Sequence, residues 1–266
     1  MNTKFRNSLL VIGLTVSLLA CQPALPAASP TPTVPPALPI SYQGVSFDLP
    51  LELSAKLGAN ANGSVSTEIE FPYIYSEGDP MPEHVVFGFT DYPVQVPRPA
   101  RLMVFKTSEY ASYSQILQEA VNALSAGQDS LDPLPRALAP GEFYTQAKPI
   151  ASKDGHGVRY LTQVLNDSGP INNEGLFYYY QGISADGAYF ICAIFPVNAD
   201  FLPANGLSDT VTPAEGVPFD WQGSYLDFPP YLTAVTQKLN DTPAELYTPS
   251  LLTLDRLIES IQVSNP

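Results

Sequence analysis

Two thiols, two imidazoles and a few carboxylate clusters are the groups through which this chain could do chemistry. His84 follows Glu83 in a Pro-rich approach to a strand, and His156 lies in Asp154-Gly155-His156-Gly157, which reads as a turn. Both are therefore expected on surface loops. No His-Glu-x-x-His pair is present, and two histidines fill a three-ligand zinc site only with help from carboxylates. No Gly-x-Ser-x-Gly elbow, Walker loop or dinucleotide fingerprint occurs. A Ser-His-Asp triad assembled across the fold is the one catalytic arrangement that spacing leaves open. Cys192 sits in the apolar run 189–195 and reads as a small buried hydrophobe, not as a nucleophile. Oxygen ligands cluster at Asn166-Asp167-Ser168-Gly169 with Asn172-Asn173-Glu174, and at Glu77, Asp79 and Glu83. Neither set has the spaced carboxylates and bidentate Glu of an EF-hand loop. The expectation is a protein with no catalytic residue, no metal and no cofactor.

Groups suited to contact are better represented. The chain holds 15 Tyr and 13 Phe but one tryptophan, Trp221. It stands between Phe219-Asp220 and Gln222 in a segment, 202–229, rich in Gly, Pro and Asp. Segments of that length without regular structure usually serve a function or move. Trp221, Tyr225 and Asp227 are the candidate ligand or partner contacts. Tyr178-Tyr179-Tyr180 offers a second aromatic run, able to line a groove but more simply read as sheet packing.

One cysteine carries an address. Lys4 and Arg6 form a basic start, residues 9–20 an apolar run, and Leu18-Leu19-Ala20 stands directly before Cys21. This resembles the bacterial lipoprotein signal, in which the segment before the cysteine is removed and Cys21 takes fatty acids such as palmitate. The apolar run is short against the roughly 20 residues of a membrane span and suits a secretory signal. Two acyl chains on Cys21 meet the two-signal requirement for stable anchoring. Gln22 follows, so the Asp that retains some lipoproteins at an inner membrane is missing. The expected location is extracytoplasmic, on a bacterial membrane.

Composition then sets the organisation. Residues 21–39 are mostly Pro, Ala, Ser and Thr, a composition that cannot offset its ordering entropy and favours a semi-rigid spacer. Residues 40–266 are enough for one domain with its own core. With Cys21 acylated, Cys192 has no disulfide partner. The chain carries 12 basic and 26 acidic residues, and loss of Lys4 and Arg6 leaves 10 against 26, a net of −16. Without a basic patch, nucleic acid is excluded as a partner class and the tether, not the surface, makes the membrane contact.

The elements that must position these groups follow from periodicity. Tyr42, Val45 and Phe47 predict an opening strand, with Gly44 at a bulge or close approach and 59–67 as a loop. Strands are predicted at 85–92, 101–105 and 158–165. A hairpin spans 176–184 and 189–197 around Asp186-Gly187, the chemistry of a two-residue type I′ turn. That turn sets Tyr179 opposite Ile194, Tyr180 opposite Ala193 and Tyr178 opposite Phe195. Apolar groups then fall on both faces, which predicts layers on both sides. Helices are predicted at 112–126, with Ser112 and Gln115 as a capping box and Gly127 as the stop, and at 230–239. A last helix starts from Thr248 and Pro249 and buries Leu251, Leu254, Leu257, Ile258 and Ile261. The fold class expected is α+β, a single domain whose central, mainly antiparallel sheet has helices on both faces.

Gly44-Val45-Ser46-Phe47-Asp48-Leu49-Pro50, the late hairpin and the closing Leu257-Ile258-Glu259-Ser260-Ile261 resemble elements of PsbP/Mog1-like domains. That resemblance implies an antiparallel sheet sandwiched by helices and an accessory or binding role without catalytic residues. The anchor, stalk and sheet-rich domain together are similar to lipoproteins of the Chloroflexota type, which implies an address and no activity. The function expected is a membrane-anchored, non-enzymatic binding or assembly module with an envelope protein partner. Capture of a cation, peptide or sugar near 202–229 is the alternative, and a hydrolase using His84 or His156 a further one.

Overall fold

The computed structural model describes residues 36–54, 65–70, 82–112, 115–127, 143–165 and 169–264. Its main sheet has seven strands, all antiparallel. They are Val65–Glu70 (β3), His84–Phe89 (β4), Arg101–Lys106 (β5), Thr145–Ser152 (β6), Gly155–Thr162 (β7), Phe177–Ser184 (β8) and Tyr189–Pro196 (β9). The order across the sheet is β3-β4-β5-β9-β8-β7-β6. A second sheet joins Ala37–Tyr42 (β1), Val45–Pro50 (β2) and Gln262–Val263 (β10). The short turn of helix Leu51–Ser54 (α1) follows β2. Thr107–Ala111 (α2) and Gln115–Ser125 (α3) come between β5 and β6, and Phe228–Asp241 (α4) and Leu251–Glu259 (α5) follow β9.

Alternation along the strands sorts side chains into two cores. Met103, Phe105, Tyr179, Phe190, Cys192 and Ile194 point to one face, where Tyr110 of α2 and Leu117, Val121 and Leu124 of α3 cover them. Leu102, Val104, Tyr178, Tyr180, Ala193 and Phe195 point to the other, against the small sheet, α4 and α5. A strand periodicity of two delivers both sets at once, and a one-residue slip would exchange them. The register of the β8–β9 hairpin is the one its sequence predicts, with Tyr179 opposite Ile194 and Tyr180 opposite Ala193. The chain is thus α+β with helices on both faces of its central sheet, and Pro35–Pro266 forms one unit.

Several local expectations are corrected. The β8–β9 turn is not type I′, because Gly187 takes a left-handed φ of 72° while Asp186 does not. Ser184 closes it instead: its hydroxyl donates to Asp186 Oδ1 at 2.6 Å and accepts from Tyr189 N–H at 2.9 Å. That hydroxyl and the Ala188 N–H hold the Asp186 carboxyl below its ordinary range. The two-residue turn with both φ positive lies at Gln43-Gly44 (46° and 73°), and makes the opening a hairpin where a single strand was predicted. Its first strand takes in Ala37, Leu38 and Pro39, which composition placed in the spacer.

Of the predicted helix 112–126, the stretch Gln115–Ser125 is α3, and a separate short helix, α2, ends just before it at Ala111. Ser112 is the C-cap of α2 and its hydroxyl donates to Glu109 O at 2.7 Å, so it cannot cap α3. Gly127 does stop α3, at φ 78° with its N–H on Leu124 O. Ser250, not Thr248, caps α5, accepting from Leu252 N–H at 3.2 Å. Thr248 instead exchanges backbone hydrogen bonds with Asn198. The buried face of α5 holds Leu251, Leu254, Leu257 and Ile258 as predicted, while Ile261, fully enclosed as well, lies just past the end of the helix. Each contributes about 1.5–3 kcal/mol by burial.

Strands β3 and β6 were not predicted. Residues 65–67, read as loop, belong to β3. β6 is an edge strand containing Pro149, with a bulge between Thr145 and Lys148. The bulge turns Gln146 toward α4, where its Nε2 donates to the carbonyls of Leu239 at 2.8 Å and Thr242 at 2.9 Å. Both acceptors lie at the C-terminal end of α4, where the Leu239 carbonyl also takes the Thr242 N–H and the Tyr247 hydroxyl.

Between β7 and β8 the Tyr180 ring lies over paired glycines. A Cβ on Gly182 would stand 2.2 Å from the Tyr180 hydroxyl oxygen and 2.8 Å from the His156 carbonyl. Gly182→Ala is expected to destabilise the domain by about 1–3 kcal/mol through overpacking. Chemical denaturation of the two proteins measures the difference, and an unchanged midpoint would show that the ring yields freely.

Candidate functional site

The long connection from β9 to α4 runs back over the start of that helix and builds a cleft there. Proline fits the first turn of a helix, and Pro229-Pro230 fill it in α4 directly after Phe228. One turn into α4, Tyr231 is buried and its hydroxyl accepts the Ile171 N–H at 2.8 Å. Burial pushes that phenol up to about 12, against the opposing effect of the Ile171 bond. Phe219 meets Tyr231 edge to face at 4.9 Å and 80°, and Trp221 meets Phe219 in the same way at 5.0 Å and 78°. Phe228 also neighbours Tyr231, its ring at 6.3 Å and inclined by 28°. These four rings line a cavity of about 410 Å³ that also takes in Pro218, Asp220, Ser224 and Asp227. That volume lies within the range of small-molecule sites.

The two carboxylates are fixed by the turn that bears them. Asp220 Oδ1 accepts the Gln222 N–H at 2.9 Å, an Asx turn. Asp227 Oδ2 accepts both the Ser224 N–H at 2.8 Å and its hydroxyl at 3.0 Å. Each carboxylate keeps a second oxygen outside these bonds. Among the described residues neither is in an ion pair, and no Lys or Arg lines the cleft. Trp221 is 43 % exposed, so one part of its indole packs on Phe219 and the remainder is open.

Of the contacts predicted from sequence, the structure brings Trp221 and Asp227 to this cleft. Tyr225 opens the short 3-10 turn Tyr225–Asp227 beside it, and its side chain is outside the described set. Cys21, Glu77, Asp79 and residues 166–168 are outside the described residues. The remaining oxygen ligands serve the loops. Asn172 Oδ1 accepts the Gly175 N–H at 2.9 Å, and Asn173 Oδ1 accepts the Ala199 N–H at 2.8 Å. Asn173 thereby ties the start of the long connection to the segment before β8. No group of three His, Cys, Asp or Glu converges among the described residues.

The expectation for His84 is corrected: it is a buried residue of β4, stacked on Phe105 at 4.5 Å, with Nδ1 2.9 Å from the Pro82 carbonyl. It is enclosed because its partner strand β5 places Phe105 directly opposite. His156 belongs to β7 and holds the Leu124 carbonyl at the end of α3 at 2.9 Å. Four strand spacings, about 19 Å, separate the two strands, so the imidazoles do not share a site. Cys192 is fully buried, and burial pushes its thiol up to about 12. It is a neutral core thiol at ordinary pH. Tyr178, Tyr179 and Tyr180 are all enclosed and line no groove.

The chain matches no family model, no curated protein and no solved structure. The cleft therefore has to be read from its own geometry. Sequence reasoning found its rim, Trp221, because a lone tryptophan in a Gly- and Pro-rich segment stands out. It missed that Phe228 and Tyr231, three apart on α4, form the opposite wall. Helical spacing carries that signal, but the run was read only for its apolar core face. Farther along the same helix Lys238 stands over the Phe201 ring at 4.9 Å, inside a second groove of about 600 Å³ with Gln237, Asp241 and Leu246.

Proposed function

We propose that this chain is a lipid-anchored envelope protein that works by binding, with residues 202–246 as its contact region. The observation that carries the reading is where apolar side chains remain in water. Six large hydrophobic side chains are exposed among the described residues, and five of them, Leu207, Val211, Trp221, Leu226 and Leu246, belong to this stretch. Val211 is 82 % and Leu226 80 % exposed, well beyond what their own packing requires. These five fall in one stretch of 45 positions that also carries the aromatic cleft, and apolar surface concentrated in this way marks interaction sites where it is contiguous. Leu18-Leu19-Ala20-Cys21 supports the anchor, and the likeness of the Gly44 to Pro50 run to PsbP/Mog1-like accessory domains supports an assembly role. No helix among the described residues is long and apolar enough to cross a membrane.

Cross-linking in the native cells, followed by isolation of the tagged protein, tests this. A stoichiometric envelope partner recovered with the native chain, and lost with Val211→Glu/Leu226→Glu, is the expected result. Both positions are exposed, so charge there spares the core. Equal recovery with that variant would remove the contact region from the reading. A second reading, capture of a small ligand, is favoured by the aromatic cleft around Trp221, and the two share one surface.

A further inference from the structure

We propose that the cleft between Phe219, Trp221 and Tyr231 takes an organic ammonium ion whose charge is sheathed by methyl groups. The proposal rests on the reading of this cleft as a ligand site and gives its ligand a chemical class. Trp221 and Tyr231 each stand nearly at right angles to Phe219, the relation between adjoining walls of a box. Ring faces attract a cation through their quadrupole, tryptophan most strongly, and do so best where water is displaced. Asp220 and Asp227 add negative charge to the same cavity, unopposed by any basic group in its lining. Their inner oxygens are taken by Gln222 and Ser224, so the turn presents them in a fixed direction.

The alternatives in charge and size fit less well. A calcium or magnesium ion takes six or more oxygen ligands, and a primary ammonium takes three acceptors for its N–H groups. The cleft offers two carboxylate oxygens outside the turn's own bonds, set among four aromatic rings with Pro218, Gly223 and Ser224. A methylated ammonium has no N–H to satisfy and meets those faces with its methyl groups. A chain with a formal charge of −14 also concentrates cations at its surface.

Trp221 is the only tryptophan, so its emission reports on this cleft alone. The full chain in detergent is titrated with choline, with its uncharged isostere carrying carbon in place of nitrogen, and with sodium chloride. A saturable emission change with choline, absent with the isostere and with salt, is expected. Asp220→Asn/Asp227→Asn keeps the oxygen acceptors of the turn and should weaken choline binding by about tenfold or more. Calorimetry on Trp221→Ala should show binding lost while the thermal midpoint stays put. Vesicles bearing phosphocholine, run in parallel, separate a lipid headgroup from a free solute: competition by soluble choline assigns the shared site. Equal response to choline and isostere, or unchanged affinity in the double Asn variant, overturns the proposal. Retention of the cross-linked partner alongside a silent choline titration would overturn the ammonium assignment alone.

Discussion

Raising the pH from about 9 to about 12 is expected to unfold this domain cooperatively. Burial holds the phenols of Tyr92, Tyr110, Tyr178, Tyr179 and Tyr180 well above their ordinary value of 10.0. Tyr231 and Tyr247 are pushed up to about 12 by the same cause. In an unfolded chain each phenol releases its proton near pH 10, whereas in the fold it keeps it. The unfolded state therefore binds fewer protons in this window, and stability falls as pH rises. The contribution is fully present below about pH 10 and is lost at about 1.4 kcal/mol per pH unit for each phenol until its folded value is passed. Cys192 adds a similar loss starting from 9.0. At about pH 11 the seven phenols together reach on the order of 10 kcal/mol, comparable with the whole stability of an ordinary domain. The tyrosinate absorbance of the buried phenols should appear together with the loss of circular dichroism in one steep step. Ionisation of all 15 phenols near pH 10 with secondary structure intact would contradict the burial described here.

Asp255→Ala is expected to cost about 3–5 kcal/mol, because it leaves a buried cation without its counter-charge. Asp255 lies on the inner face of α5, where its Oδ1 accepts from Arg159 Nε at 3.2 Å and the Tyr178 hydroxyl at 3.1 Å. Its Oδ2 accepts from Lys148 Nζ at 2.8 Å. Arg159 and Asp255 are both almost wholly enclosed, while Lys148 is half in water. Loss of the carboxylate sends Lys148 to solvent at little cost, but Arg159 cannot follow. The guanidinium keeps one bond, to the Gln146 carbonyl, which does not neutralise it. Replacing both charges, as in Arg159→Met/Asp255→Leu, should recover most of the loss, since apolar packing often equals a buried pair. Denaturant midpoints for the single and double variants measure this. A double variant as unstable as Asp255→Ala would show that Tyr178 and Lys148, not the uncompensated Arg159, set the cost.

What could be read in advance follows the range of the interaction involved. The β8–β9 register was legible because two adjacent runs of alternating aromatics admit one pairing that fills both faces. The α5 stripe was legible because five apolar residues fall at helical spacing within eleven positions. The short helix α2 was not, since its Tyr110 is placed by stacking on Phe190 at 4.2 Å, a contact across 80 positions of sequence. β6 was hidden by Pro149 and by a polar pattern that suits an edge strand whose bulge serves α4. At the cleft, the same limit applied: Trp221 announced itself by rarity, while its position against Phe219, Tyr231 and the Asx turn came only from the folded chain.

The pairing of β10 with β2 has a consequence for timing. Ser264 N–H donates to the Gly44 carbonyl at 2.8 Å, and the Ser264 hydroxyl reaches the same oxygen across 220 positions of sequence. The small sheet at the opening of the domain therefore stays one strand short until nearly every other element has left the ribosome. Closing so long a loop is slow, and local helices cannot substitute for it. Val45 and Phe47, both enclosed in the finished fold, wait with an open edge beside them. A chain emerging from its first residue onward thus remains unlatched until α5 and β10 arrive together and join the opening hairpin to the closing strand.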